Sequence, residues 1–127
     1  MKKCLFLAGV FCASLAMAAS SWPMFRGNQG LTGVANEKLP NRLELLWKYK
    51  VGEPVRSSAA IVDGRVFVGG EDGRLHCIDL AKGKRVWAYN VKSGDSIEAS
   101  PLVLGGRVFF GGLDGNFAGL CPGPAKA

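Results

Sequence analysis

Ser58-Ala-Ala-Ile-Val-Asp-Gly-Arg-Val-Phe-Val-Gly-Gly-Glu-Asp-Gly73 and Ser100-Pro-Leu-Val-Leu-Gly-Gly-Arg-Val-Phe-Phe-Gly-Gly-Leu-Asp-Gly115 are one motif written twice, 42 residues apart. A second marker recurs as Trp47-Lys48-Tyr49 and Trp87-Ala88-Tyr89, here at an offset of 40. The difference of two residues falls between Tyr89 and Ser100, and an insertion of that size belongs in a loop. A period of about 40 to 45 residues, built of short strands and glycine turns, is that of a β-propeller blade, a unit that cannot bury its own faces. The fold class is therefore all-β, with four-stranded antiparallel blades.

Within one repeat the residues predict four strands. Ala59 to Val62 and Arg65 to Gly69 flank Asp63-Gly64, a pair suited to a type I′ hairpin because both positions need positive φ. Gly70 to Gly73 then signals a turn through Asp72 and Gly73, and Arg74 to Asp79 forms the third strand. Ala81 to Lys84 turns again before a fourth strand, Arg85 to Val91. The second copy repeats the hairpin at Gly105-Gly106 and the turn at Asp114-Gly115. Upstream, Leu43 to Val51 reads as a lone strand, equivalent to the last strand of a preceding blade. No segment has the 3.6-residue periodicity of a long helix.

Val66-Phe67-Val68 and Val108-Phe109-Phe110 are apolar on both sides, as expected where each sheet packs face to face on its neighbours. Trp47 and Trp87, at one fixed place per repeat, suit the wedge between adjacent blades, with the indole N–H satisfied by a carbonyl. The pairs Gly69-Gly70 and Gly111-Gly112 are expected to let a neighbour's aromatic ring approach closely.

Residues 1–18 pose a different problem. Lys2 and Lys3, the apolar run from Leu5 to Leu15 and Ala16-Met17-Ala18 predict a secretory signal peptide cleaved after Ala18. The apolar run is too short to span a bilayer, and Phe11 before Cys12 is too bulky for a lipoprotein box. No stable membrane anchor is expected after cleavage, and the chain is expected in the periplasm or outside the cell. The 109 residues that follow lose two lysines, so the formal charge falls from +6 to +4. That charge is scattered over turns and strand ends, without the clustered stripe and interleaved aromatics of a nucleic-acid surface. Cys77 and Cys121 remain, too few for a disulfide framework and without a metal-binding spacing. Cys77 reads as a small buried apolar residue.

From the Asp63-Gly64 hairpin through Leu75-His-Cys-Ile-Asp79 to Gly83-Lys-Arg-Val-Trp87, the repeat resembles the pyrroloquinoline-quinone-type propeller repeat. Asp79, Gly83 and Trp87 hold the places of that family's Asp-x-x-x-Gly-x-x-x-Trp pattern. The lead-in Trp22-Pro-Met-Phe-Arg-Gly-Asn28 resembles the segment before the first blade of secreted bacterial members. Catalytic members use the quinone with calcium, an acidic base, a stacking Trp and in some cases adjacent cysteines. No residue here matches those groups: Asp95 and Glu98 lie in the interblade loop without partners, His76 reads as a blade-packing or solvent-facing residue, and Gly69 to Gly73 leads into no helix that could cradle phosphate. Expected catalytic, cofactor and metal sites are therefore none.

The expected organisation is a signal peptide (1–18), a lead-in (19–42), a partial propeller (43–117, with one full blade over 58–91 and half a blade over 100–117) and an irregular tail (118–127) that suggests truncation. Two blades cannot close the ring of about seven or eight that the resemblance implies. The leading functional expectation is an exported, non-catalytic binding or scaffold module. Its partners would be further propeller blades, other proteins or copies of itself, with no nucleic acid. In being non-catalytic it resembles the lipid-anchored propeller subunit of the outer-membrane β-barrel assembly machinery. The alternatives are the amino-terminal part of a quinoprotein dehydrogenase, which alone would bring pyrroloquinoline quinone and calcium, and a non-functional truncated product.

Overall fold

Asp63 and Gly64 take φ values of 50° and 69°, the left-handed pair that a type I′ turn requires. They join β1 (Ala60–Val62) to β2 (Arg65–Gly69), which continues through β3 (Arg74–Asp79) and β4 (Arg85–Asn90) into one antiparallel sheet of order β1-β2-β3-β4. Gly105 and Gly106, at 56° and 69°, serve β5 (Leu102–Leu104) and β6 (Arg107–Gly111) in the same way. With β7 (Phe117–Leu120) these form a three-stranded antiparallel sheet. This computed structural model describes residues 21–121, and no helix occurs among them. The expected signal peptide, and the tail from residue 122 onward, lie outside the described residues.

The sequence repeat is a structural one down to the register. Val66 pairs with Ile78, Phe67 with Cys77, Val68 with His76 and Gly69 with Leu75. Forty-two residues on, Val108 pairs with Leu120, Phe109 with Gly119, Phe110 with Ala118 and Gly111 with Phe117.

Because successive strand residues point to opposite faces, each sheet has two apolar faces. Ala60, Phe67, Leu75 and Cys77 of the first sheet are buried against Val108 and Phe110 of the second, with Trp87 and Tyr89 packed alongside. Val66, Val68 and Ile78, on the opposite face, are covered by Trp47 and Tyr49. The two sheets are thus consecutive blades of an incomplete ring.

The lead-in binds both blades. Trp22 and Ile61 exchange backbone hydrogen bonds of 2.7 and 2.8 Å along the free edge of β1, and Val103 N of β5 donates to Pro23 O at 2.7 Å. The Trp22 ring lies on Gly27, where a Cβ would stand 2.7 Å from it. The glycine keeps this corner open.

Two expected boundaries differ. Residues 43–51 form no strand: a strand is defined by its ladder, and among the described residues no segment offers them an edge. Their apolar side chains Leu43, Leu45 and Leu46 are 71%, 72% and 84% exposed. The strand pattern also runs past residue 117, because Ala118-Gly119-Leu120 completes β7 where an irregular tail was expected. Ala118 and Leu120 pack on the interblade core, so their apolar character sustains the ladder although the side chains no longer match those of β3.

Candidate functional site

The interblade seams gather the polar side chains of this chain. Trp47 crosses the outer face of the first sheet and donates its indole N–H to Leu80 O at 2.8 Å. Its ring lies directly on Gly83, whose φ is 64°. A Cβ there would run into the Trp47 ring. Trp87 occupies the other seam, its ring centroid 5.9 Å from that of Phe67, and Tyr89 meets Phe110 edge to face at 5.9 Å.

The glycine pairs do something other than receive aromatic rings. Gly69 closes on the side chain and carbonyl of Ile97, and Gly70 on Val51 and its own turn residue Asp72. Gly111 meets nothing nearer than 4.0 Å, and Gly112 meets Asp114. The aromatic contact falls instead to Gly83, because the ring arrives from the preceding segment at the β3–β4 turn. Ile97, 1% exposed, is a short aliphatic plug whose N–H donates to Gly70 O at 3.0 Å.

Asp72 and Asp114 order equivalent turns, accepting from Arg74 N at 3.2 Å and from Asn116 N at 3.0 Å. The following glycines have φ of 71° and 76°. Hydrogen bonds from Asn116 and Ser93 hold the Asp114 carboxyl below the usual carboxylate range.

The position of His76 is one that residue spacing does not announce. It is 3% exposed, with Nδ1 3.1 Å from the Tyr49 hydroxyl and Nε2 3.1 Å from Asp72 Oδ2. A carboxylate only accepts, so Nε2 carries a proton, and in the neutral ring Nδ1 accepts from Tyr49. The triad ties residues 47–51 to the blade by polar contacts as well as by Trp47. One signal was available: Tyr49 stands two residues after the wedge Trp, on the same face if the segment is extended. Its partner was hidden because Ala118 fills the position of His76 in the second copy. Glu98 also has a partner: Arg56 pairs with Glu71 and lies 3.9 Å from Glu98. Arg56 precedes the repeated motif, so sequence spacing alone did not join it to residues 15 and 42 positions away.

Two results are expected from this seam. Tyr49→Phe leaves the buried His76 Nδ1 without a donor and lowers stability by about 1–3 kcal/mol, read as a shift in urea midpoint. In addition, burial pushes the Cys77 thiol up from 9.0 to about 11, and burial likewise raises Tyr49 above 10.0. Folding therefore favours their neutral forms, and this stabilisation is intact below pH 9. It is lost as the pH climbs through about 11. The urea midpoint falls over that range, and Cys77→Ala shallows the fall.

Among the described residues no group of three His, Cys, Asp or Glu side chains stands close enough to hold a metal. The clefts are shallow. One of about 380 Å³ opens between the hairpin tips, lined by Val62, Arg65, Val103 and Leu104 under Ser21 and Pro23.

The family model for the outer membrane protein assembly factor BamB matches residues 41–121. The chain belongs to this BamB-like propeller-repeat family. Among solved structures, it is similar to BamB from Moraxella catarrhalis, with 27% sequence identity and a TM-score of 0.52 over 60% of this chain. The match spans 24% of that BamB chain, about a quarter of its length. No curated protein matches. The PQQ-like repeat read from Asp79, Gly83 and Trp87 is thus the family's own.

Proposed function

We propose that this chain is an exported, non-catalytic propeller module that acts as a binding surface for other proteins of the cell envelope. The observation that carries this reading is the use of its polar side chains. His76, Tyr49, Asp72, Ser57, Arg56, Glu71 and Glu98 are engaged in joining segments of the fold, while Leu104, Leu113 and Phe117 stand 60%, 66% and 74% exposed. Leu104 and Phe117 stand on the second sheet and Leu113 on its β6–β7 turn, and exposed apolar side chains there suit a protein-binding surface. Membership of a family named for an assembly factor agrees with it, and export is assigned to residues 1–18 as part of the same proposal.

A photo-crosslinking residue placed at Leu113 in cells tests the proposal. Adducts with a second envelope protein are expected, together with a mature N-terminus at Ala19 in the periplasmic fraction. A chain retained at full length in the cytoplasm, or one that yields no adduct, contradicts it. Titration of the purified chain with pyrroloquinoline quinone and calcium is expected to give no saturable absorbance change and no dye reduction. Stoichiometric binding with turnover would replace this reading by the dehydrogenase one.

A further inference from the structure

Three Asp-Gly pairs stand at turns between strands: Asp63-Gly64, Asp72-Gly73 and Asp114-Gly115. Such a pair carries a reaction of its own. The Gly nitrogen attacks the carboxyl carbon of the Asp side chain, a C–N bond forms, and the carboxyl hydroxyl leaves with the N–H proton as water. Water then reopens the five-membered succinimide at either carbonyl. Cleavage of the new C–N bond restores Asp, and cleavage of the original peptide bond leaves isoaspartate. Glycine suits the attacking position because it has no Cβ to obstruct the ring. The fold decides which pair has both reacting groups free. We propose that Asp63-Gly64 is a site of spontaneous isoaspartate formation in the folded chain, and that the other two pairs are shielded by their turns. This inference stands apart from the binding-surface reading and does not depend on it.

Asp72 and Asp114 are held by their surroundings. The Asp72 carboxylate accepts from Arg74 N at 3.2 Å and from His76 Nε2 at 3.1 Å, and its side chain is 9% exposed. Gly73 is buried, packed on the backbone of Gly94. Asp114 accepts from Asn116 N at 3.0 Å, Asn116 Nδ2 at 2.9 Å and Ser93 Oγ at 3.0 Å. The Gly115 N–H is itself committed, donating to Gly112 O at 3.2 Å. Ring closure expels the carboxyl hydroxyl and so proceeds from the protonated acid, whereas the hydrogen bonds to Asp114 favour its ionised form. Either turn has to open before its ring can close.

Asp63 is under none of these restraints. Both residues of its turn are exposed, and among the described residues no hydrogen bond or ion pair engages its carboxyl or the Gly64 N–H. A Cβ built on Gly64 meets nothing within 4 Å, so no packed group stands between the reacting atoms. Asp63 also holds a φ of 50°, a left-handed conformation that a residue with a side chain adopts only at a cost. Isoaspartate adds one methylene to the main chain between Val62 and Gly64, and a two-residue type I′ connection has no place for it. The Val62↔Arg65 pairing and the bond from Leu80 N to Gly64 O border that atom directly. Val62 and Asp63 also line the cleft between the hairpin tips, so the reaction reshapes its rim. In the second blade Gly105 takes the place of Asp63, and without a carboxyl that turn cannot react.

Incubation of the purified folded chain in heavy-oxygen water at neutral pH tests the proposal, because each passage through the succinimide installs one solvent oxygen. Tryptic peptides 57–65, 66–74 and 108–126 report Asp63, Asp72 and Asp114 separately by mass. Label is expected to enter the first at least about tenfold faster than the other two, since a shielded site reacts only in its opened fraction. In urea the three rates are expected to converge. An isoaspartate-specific methyltransferase supplied with labelled S-adenosylmethionine is expected to modify peptide 57–65, and Asp63→Glu to abolish both signals there, because the larger ring closes far more slowly. Equal rates at the three sites of the folded chain would overturn the proposal. So would the same spread of rates in urea, which would make the neighbouring residues rather than the fold the cause, or label at Asp63 without isoaspartate.

Discussion

Leu75→Ala is expected to lower the stability of the chain by about 2–5 kcal/mol, whereas Phe117→Ala, at the same place in the second repeat, costs less than about 1 kcal/mol. Leu75 is fully enclosed in the core between the two sheets, and Phe117 lies on the open face of the second. A truncated Leu75 leaves a cavity whose walls are β-sheet on both sides, and these relax little. The measurement is urea unfolding of both variants. Equal losses would mean that the second sheet packs its outer face in some other way. Since the two positions share one register, as Gly69↔Leu75 and Gly111↔Phe117, the contrast isolates the contribution of a neighbouring blade from that of the strand itself.

Gly83→Ala is expected to cost about 2–5 kcal/mol. Two penalties act together at this position. A left-handed φ of 64° disfavours any side chain by about 1–2 kcal/mol, and the added Cβ overlaps the Trp47 ring, an overpacking worth about 1–3 kcal/mol. The ring has nowhere to retreat while its N–H remains bound to Leu80 O. Release of Trp47 would expose Val66, Val68 and Ile78, the apolar face beneath it. Gly64→Ala serves as the comparison, with φ of 69° and open space around its Cβ. It is expected to show the backbone penalty alone. If both substitutions cost the same, Trp47 does not press on Gly83 and the wedge role fails.

The hairpins, the third strand and the doubled register were legible in the chain because they depend on local chemistry. Asp63-Gly64 and Gly105-Gly106 satisfy positive φ, and Val66-Phe67-Val68 carries its burial on both faces. Residues 43–51 read as a strand and form none, for the opposite reason: apolar alternation specifies a strand only where a partner edge exists. β7 was cut short because Ala118, Gly119 and Leu120 do not match His76, Cys77 and Ile78, although backbone pairing tolerates that change. The seam was only half visible. Trp47 and Trp87 announce themselves by spacing, whereas the Asp-x-x-x-Gly-x-x-x-Trp pattern contains Gly83 without revealing the Trp47 ring that rests on it. His76 owes its place to Tyr49 and Asp72, which lie 27 and 4 residues away. Such a triad has no period, so only the folded chain reveals it.

Native-state hydrogen exchange of the β2 and β6 amides tests most directly whether the two sheets are packed as consecutive blades on one core. Both strands are expected to exchange slowly and to lose protection together in Leu75→Ala, because Phe67, Leu75, Val108 and Phe110 share that core. Fast exchange in β6 beside a protected β2 would contradict it.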